Sequence, residues 1–184
     1  MEVAGMEWVL AVVGSLAAAL AGAYALYVHR QGDCDVVLEV DKVREFALRL
    51  EGEGAVVSCL VPLRNRGRQD GMVVELLVEA SHPGHVPGRP KIIPFVHVAG
   101  AEDEDEGWYW KARLLRSGES VTLRLGATLT FRRRQPDEDL VSLLSRLPGV
   151  NLRVHTKSIG RRSITWRLSE LALPLEGLLR RTAA

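Results

Sequence analysis

Three histidines are the first residues whose type suggests chemistry. His82 and His85 bracket Pro83-Gly84, and His97 lies downstream. Neutral imidazole is a good zinc or copper ligand, but this spacing matches no structural or catalytic zinc pattern. They read as two solvated histidines in a proline-rich loop and one strand residue, and neither a metal nor any other cofactor is expected. The run Glu102, Asp103, Glu104, Asp105 and Glu106 offers the hard oxygens that calcium prefers. It lacks the spaced ligands and the closing bidentate Glu of a calcium loop. Five adjacent like charges repel and are expected at a solvated hairpin tip, where a basic partner could meet them.

Two basic knots stand apart from these. Arg132, Arg133 and Arg134 follow one apolar stretch, and Arg161-Arg162 interrupts another. Either could rest on anionic lipid or pair with acids such as Asp137, Glu138 and Asp139. Trp108, Tyr109 and Trp110 alternate, so one face takes both tryptophans into the core and the other presents Tyr109. The candidate interaction residues are therefore the five acids, Arg132 to Arg134, and Tyr109. A nucleophile-elbow motif, a phosphate-binding glycine loop with lysine, GxGxxG and His-Glu-x-x-His are all absent. No residue set reads as catalytic, and a non-enzymatic role is expected.

The bulk composition agrees. A chain of 184 residues with 47% hydrophobic and 26% charged residues is that of one folded domain with, at most, an appendage. The net charge of +1 creates no global field, so nucleic acid is not an expected partner. Cys34 and Cys59 are too few for a disulfide scaffold. They permit one bridge in an exported domain or two free thiols in a cytosolic one.

The appendage is at the N-terminus. Trp8 to Val28 has no charged residue, and Ser15 is its only strongly polar side chain. As a helix it would extend roughly 30 Å, the thickness of a bilayer's hydrocarbon core. Trp8, Tyr24 and Tyr27 sit towards its ends, as interfacial anchors do. A cleaved signal peptide fits less well, because Glu2 and Glu7 stand where a basic segment belongs and the apolar run is too long. The lipid bilayer is thus an expected partner through Trp8–Val28. Gly14, Ala18 and Gly22 recur every four residues, a small-residue face through which two such helices could pack. His29, Arg30, Lys42 and Arg44 follow the span, which favours a domain on the cytoplasmic side. The expected order is a tail (1–7), a transmembrane helix (8–29), a juxtamembrane linker (30–34), a domain (35–177) and a C-terminal tail (178–184).

Within the domain the apolar residues alternate with period two, as in half-buried strands. Stripes are expected at Val36, Leu38 and Val40; at Phe46, Leu48 and Leu50; and at Val57, Cys59, Val61 and Leu63. Further stripes fall at Met72, Val74, Leu76 and Val78, at Trp108 to Leu114, and at Val121 to Phe131. Ile92–Val98 suggests an edge strand. Leu152 and Val154, then Ile164, Trp166 and Leu168, suggest two more strands around a turn at Ser158–Arg162. Leu140, Leu143, Leu144 and Leu147 have helical spacing instead, with Asp137 as the expected cap and Pro148-Gly149 as the stop.

Seven to nine strands with regular turns and one inserted helix predict an all-β, single β-sandwich behind the N-terminal helix. The passage Val61–Gly67, an apolar strand running into Asn65-x-Gly67, resembles a strand edge of immunoglobulin-like and fibronectin type III-like modules. It is also similar to water-stress-type sandwich domains of membrane-anchored proteins. The resemblance implies a sandwich and no particular activity. The expected function is a membrane-tethered protein-interaction or scaffolding module with an unidentified protein partner. An exported envelope subunit is the alternative.

Overall fold

A computed structural model describes residues 3–52, 54–83, 90–101, 110–131 and 139–182. Helix α1 (Val3–Gln31) opens the chain. Its stretch Trp8–Gln31 contains an 18-residue window with a mean hydropathy of 2.1, none of it buried, and is long and apolar enough to cross a membrane. Ser15 donates its hydroxyl hydrogen to the Ala11 carbonyl at 2.8 Å, so the one strongly polar side chain of Trp8–Val28 is satisfied inside the helix. Around Gly14 and Gly22 there is open space.

Nine strands follow among the described residues, in two antiparallel sheets. In the first sheet, β1 (Val36–Leu38) and β2 (Arg44–Glu51) both pair with one side of β3 (Gly54–Asn65). On its other side β3 pairs with β7 (Ser120–Thr130), which pairs with β5 (Lys91–Val98). The second sheet runs β6 (Arg113–Leu115), β4 (Gly71–Ser81), β8 (Gly149–Ile159), β9 (Ile164–Pro174). The inner faces share one core. Val57, Cys59, Val61, Leu63, Leu123, Leu125, Ala127 and Leu129 come from the first sheet, and Val73, Leu76, Val150, Leu152, Val154 and Leu173 from the second. This is a β-sandwich.

Two short helices close one end. Helix α2 (Leu140–Ser145) buries Leu140, Leu143 and Leu144 at the expected spacing. Its N-cap position is taken by Asp139; Asp137 lies outside the described residues. Helix α3 (Glu176–Thr182) buries Leu178 and packs on α2 and β2. A helix therefore stands where the sequence suggested a tail. Both helices adjoin the Gly149/Pro174 end of the β8–β9 pair, opposite the turn at 160–163.

Several stripes are phased differently from the sequence pattern. In β4 the pairing register shifts between Val73 and Glu75. Such a bulge changes which alternate residues face inward, so Val73 and Leu76 are buried while Met72 is exposed. In β6, Leu115 is buried and Leu114 exposed. Val40 leaves the first strand for a 3₁₀ turn, and Glu39 is buried in its place. In β2 only Leu48 is buried; Phe46 and Leu50 are exposed. In β9, Ile164, Trp166 and Leu168 face solvent, while Leu171 and Leu173 turn inward.

Candidate functional site

A row of small residues hollows the outer face of the first sheet. Ala47 of β2 stands opposite Ser58 of β3, Ser58 opposite Gly126 of β7, and Gly126 opposite Phe95 of β5. Three neighbouring strands thus offer almost no side-chain bulk at one level. The Phe95 ring lies across Gly126, where a Cβ would meet the ring and the Val57 carbonyl. The resulting hollow has a volume of about 420 Å³, and Phe46, Arg49, Leu60, His97 and Arg124 stand around it.

Two features mark this hollow. Glu45 lines it with φ at 52°, a left-handed backbone that non-glycine residues seldom adopt. The strain sits in a bulge, where the β2–β3 register shifts between Arg44 and Ala47. Strain of this kind is retained where surrounding structure enforces it, often at binding sites. His97 stacks obliquely on Phe95 with ring centroids 5.4 Å apart, and its Nδ1 is buried without a hydrogen-bond partner. The surface offers aromatic rings, a guanidinium, an imidazole and a carboxylate on a rigid sheet. These groups can grip a side chain of an incoming segment.

A second constellation joins α1 to the sandwich. One Asp33 carboxylate oxygen accepts the N–H groups of Cys34 and Arg161, each at 2.9 Å. The other accepts the Arg162 N–H at 3.2 Å and the Ser163 hydroxyl at 2.7 Å. The Ser163 bond, with the three backbone donors, holds the Asp33 carboxyl below the usual carboxylate range against a smaller opposing effect of burial. Around it the chains approach so closely that only glycine fits. A Cβ at Gly160 would overlap the Asp33 carboxylate, at Gly67 the Asp33–Asp35 backbone, and at Gly71 the Cys34 side chain. Burial, then the Asp33 and Asp35 carboxylates, pushes the Cys34 thiol up.

The last carbonyls of a helix have no partner within it. Here arginines supply partners: Arg162 donates to the Val28 carbonyl, and Arg68 to the Arg30 carbonyl at 3.2 Å. Arg161 reaches the Gln31 side chain. Positive charge at this terminus also suits the helix dipole. Asn65, fully buried, supports the linker from below. Its side-chain oxygen accepts the Asp35 and Gly67 N–H groups at 3.0 Å, and its amide donates to the Gln69 and Leu115 carbonyls. Nearby, Arg66 and then Lys42 hold the Glu39 carboxyl below its ordinary value.

The sequence-derived candidates fall differently. Glu102, Asp103, Glu104, Asp105, Glu106, Tyr109, Arg132, Arg133 and Arg134 lie outside the described residues, as does His85. His82 is half-buried, and only His97 belongs to the hollow. Among the described residues no group of three or more His, Cys, Asp or Glu side chains could hold a metal. Cys34 and Cys59 are both free. Arg161 and Arg162 sit at the helix junction. The hollow has no sequence motif, since it depends on which small residues become neighbours across strands.

No family model matches the sequence, and no curated protein matches it. Among solved structures, the chain is similar to the yeast GGA1 GAE domain, with 10% identity and a TM-score of 0.38. That match covers 76% of this chain and 99% of the other. The GAE domain of GGA2p from Saccharomyces cerevisiae gives 7% identity and a TM-score of 0.36, covering 77% and 97%. At such scores neither likeness carries an argument about what this chain binds.

Proposed function

We propose that this chain is a membrane-tethered protein-interaction module without catalytic activity. Helix α1 spans the bilayer, the clamp at Asp33 mounts the sandwich directly on the helix end, and the hollow on the first sheet receives a protein partner. The observation that carries this reading is the hollow itself, which a strained Glu45, the Phe95 ring and His97 line around Ala47 and Ser58. Mixed aromatic and charged groups on a rigid surface suit recognition of a protein segment. On this reading the domain faces the cytoplasm. Arg30, Arg68, Arg161 and Arg162 gather at the end of α1, and the cytoplasmic leaflet is the one rich in anionic lipid.

Purification of the full chain from native membranes in mild detergent tests the binding role. A stoichiometric protein partner should accompany the wild type and be lost from Phe46→Ser combined with Arg49→Glu. An Asn151→Ala variant, altered on the other sheet, should keep it. A wild-type chain that purifies alone, or a partner retained by the double variant, overturns the assignment. Protease protection of the C-terminus in sealed cells tests the orientation; digestion from outside reverses it.

A further inference from the structure

The outer face of the second sheet carries a pattern that the interaction role does not use. Strand register aligns Leu114 of β6 with Met72 of β4, Met72 with Ile159 of β8, and Ile159 with Ile164 of β9. All four side chains are exposed, by 54%, 43%, 38% and 63% respectively. One unbroken apolar row therefore crosses all four strands in water. Isolated exposed apolar residues are ordinary, but a contiguous row marks a contact surface.

Its position identifies the contact. Ile159 and Ile164 flank the 160–163 turn, and that turn is the one bonded to Asp33 and, through Arg162, to the Val28 carbonyl of α1. The apolar row thus begins beside the place where the apolar helix ends. Moving away from that turn, the next row holds Glu75, Lys157 and Trp166, with Lys157 Nζ 4.8 Å from the Trp166 ring centre. Leu77, His155 and Leu168 follow, then Glu79, Arg153 and Glu170. Rows are two residues apart, roughly 7 Å along the strands. Over about 20 Å the face passes from the purely apolar row at the turn, through two mixed rows that hold Trp166, Lys157, Leu77 and Leu168, to the charged row at Arg153 and Glu170. A bilayer changes polarity over a similar depth, and tryptophan prefers its interface.

We infer that this face is a second membrane contact. The Leu114–Met72–Ile159–Ile164 row and Trp166 rest in the headgroup region of an anionic bilayer, with Arg161 and Arg162 beside lipid phosphates. The inference rests on the reading of α1 as a bilayer-spanning anchor. The bilayer is favoured over a protein occupant because the row adjoins the anchor and the arginines at its margin complement anionic headgroups. The domain then lies against the membrane, with the hollow on the opposite sheet turned towards the partner.

The test uses the full chain in nanodiscs containing lipids brominated near the headgroup, with and without anionic phosphatidylglycerol, and reads tryptophan quenching. Wild type, Trp8→Phe and Trp166→Phe are compared, since Trp8 reports the anchor and Trp166 the sheet. The expected result is that each substitution removes part of the lipid-quenched emission, and that the Trp166 part grows with anionic lipid. Ile164→Asp with Met72→Asp, both at exposed sites, should remove the Trp166 part and leave the Trp8 part. If Trp166→Phe changes nothing while Trp8→Phe lowers quenching, the anchor stands and the membrane contact falls. If Trp8→Phe changes nothing, the anchor reading falls, and this inference with it.

Discussion

Asp33 accepts the Ser163 hydroxyl at 2.7 Å, joining residues 130 positions apart at the foot of α1. One carboxylate ties the β8–β9 turn to the linker that follows α1. Replacing Asp33 by Ala should release this turn and cost about 1.5–2 kcal/mol, the low end for hydrogen bonds to a charged group. Hydrogen exchange at the Arg161 and Arg162 amides should speed up in the variant. Unchanged exchange would mean that the turn is held by other contacts.

The same carboxyl makes the clamp acid-sensitive. Its folded pKa lies below the ordinary aspartate value because the Ser163 and backbone hydrogen bonds favour the charged form. A depressed carboxyl contributes stability above its unfolded pKa and loses it as pH falls through the folded one. Protection of the 161–163 turn should therefore be flat at neutral pH and decline below about pH 4. Asp33→Asn should abolish that dependence; an equal acid response in the variant would assign it to other carboxylates.

Asn65 makes the sharpest stability prediction in the domain. It is fully buried and its side chain makes four hydrogen bonds, two accepted and two donated. Asn65→Ala leaves the Asp35 and Gly67 N–H groups and the Gln69 and Leu115 carbonyls without those partners. The expected loss is about 2–4 kcal/mol in chemical denaturation, since orphaned buried polar groups are costly. A loss below about 1 kcal/mol would show that water enters and replaces the amide.

Much of this architecture can be read from residue order. The stripes Val57–Leu63 and Val121–Phe131 gave the two central strands of one sheet because each is buried on a strict period of two. The leucines of α2 were legible because their spacing is helical. Alternation failed where a bulge changed the phase, at Met72 and Val73, and at β9, whose apolar residues lie on both faces. The Asn65-x-Gly67 turn signal marked the right place, while the bond from Asp33 to Ser163 is a tertiary pairing that no local pattern encodes. The hollow was not legible either, since Ala47, Ser58 and Gly126 become a row only through strand register.

Burial disfavours the thiolate of both cysteines. Cys59 is in the core, and burial raises its pKa to about 12, so almost no thiolate exists at neutral pH. Iodoacetamide at pH 8 should label Cys59 only after denaturant unfolds the domain, and Cys34 slowly before that, its thiol also being raised. Rapid native labelling of Cys59, or a Cys34–Cys59 disulfide in purified protein, would contradict two free thiols in these positions.

Gly126 tests the link between packing and binding. A Cβ there would collide with the Val57 carbonyl and with the Phe95 ring, and Phe95 is the more movable of the two. Gly126→Ala should therefore push the ring off the strand and destabilise the domain by about 1–3 kcal/mol, the usual cost of overpacking. Adding Phe95→Leu removes the ring but leaves the carbonyl, so it should recover part of that loss. Neither variant should bind the partner that wild type retains, because both rebuild the floor and wall of the hollow. If Gly126→Ala folds less stably yet binds as before, the hollow is a packing defect and the partner contacts another surface.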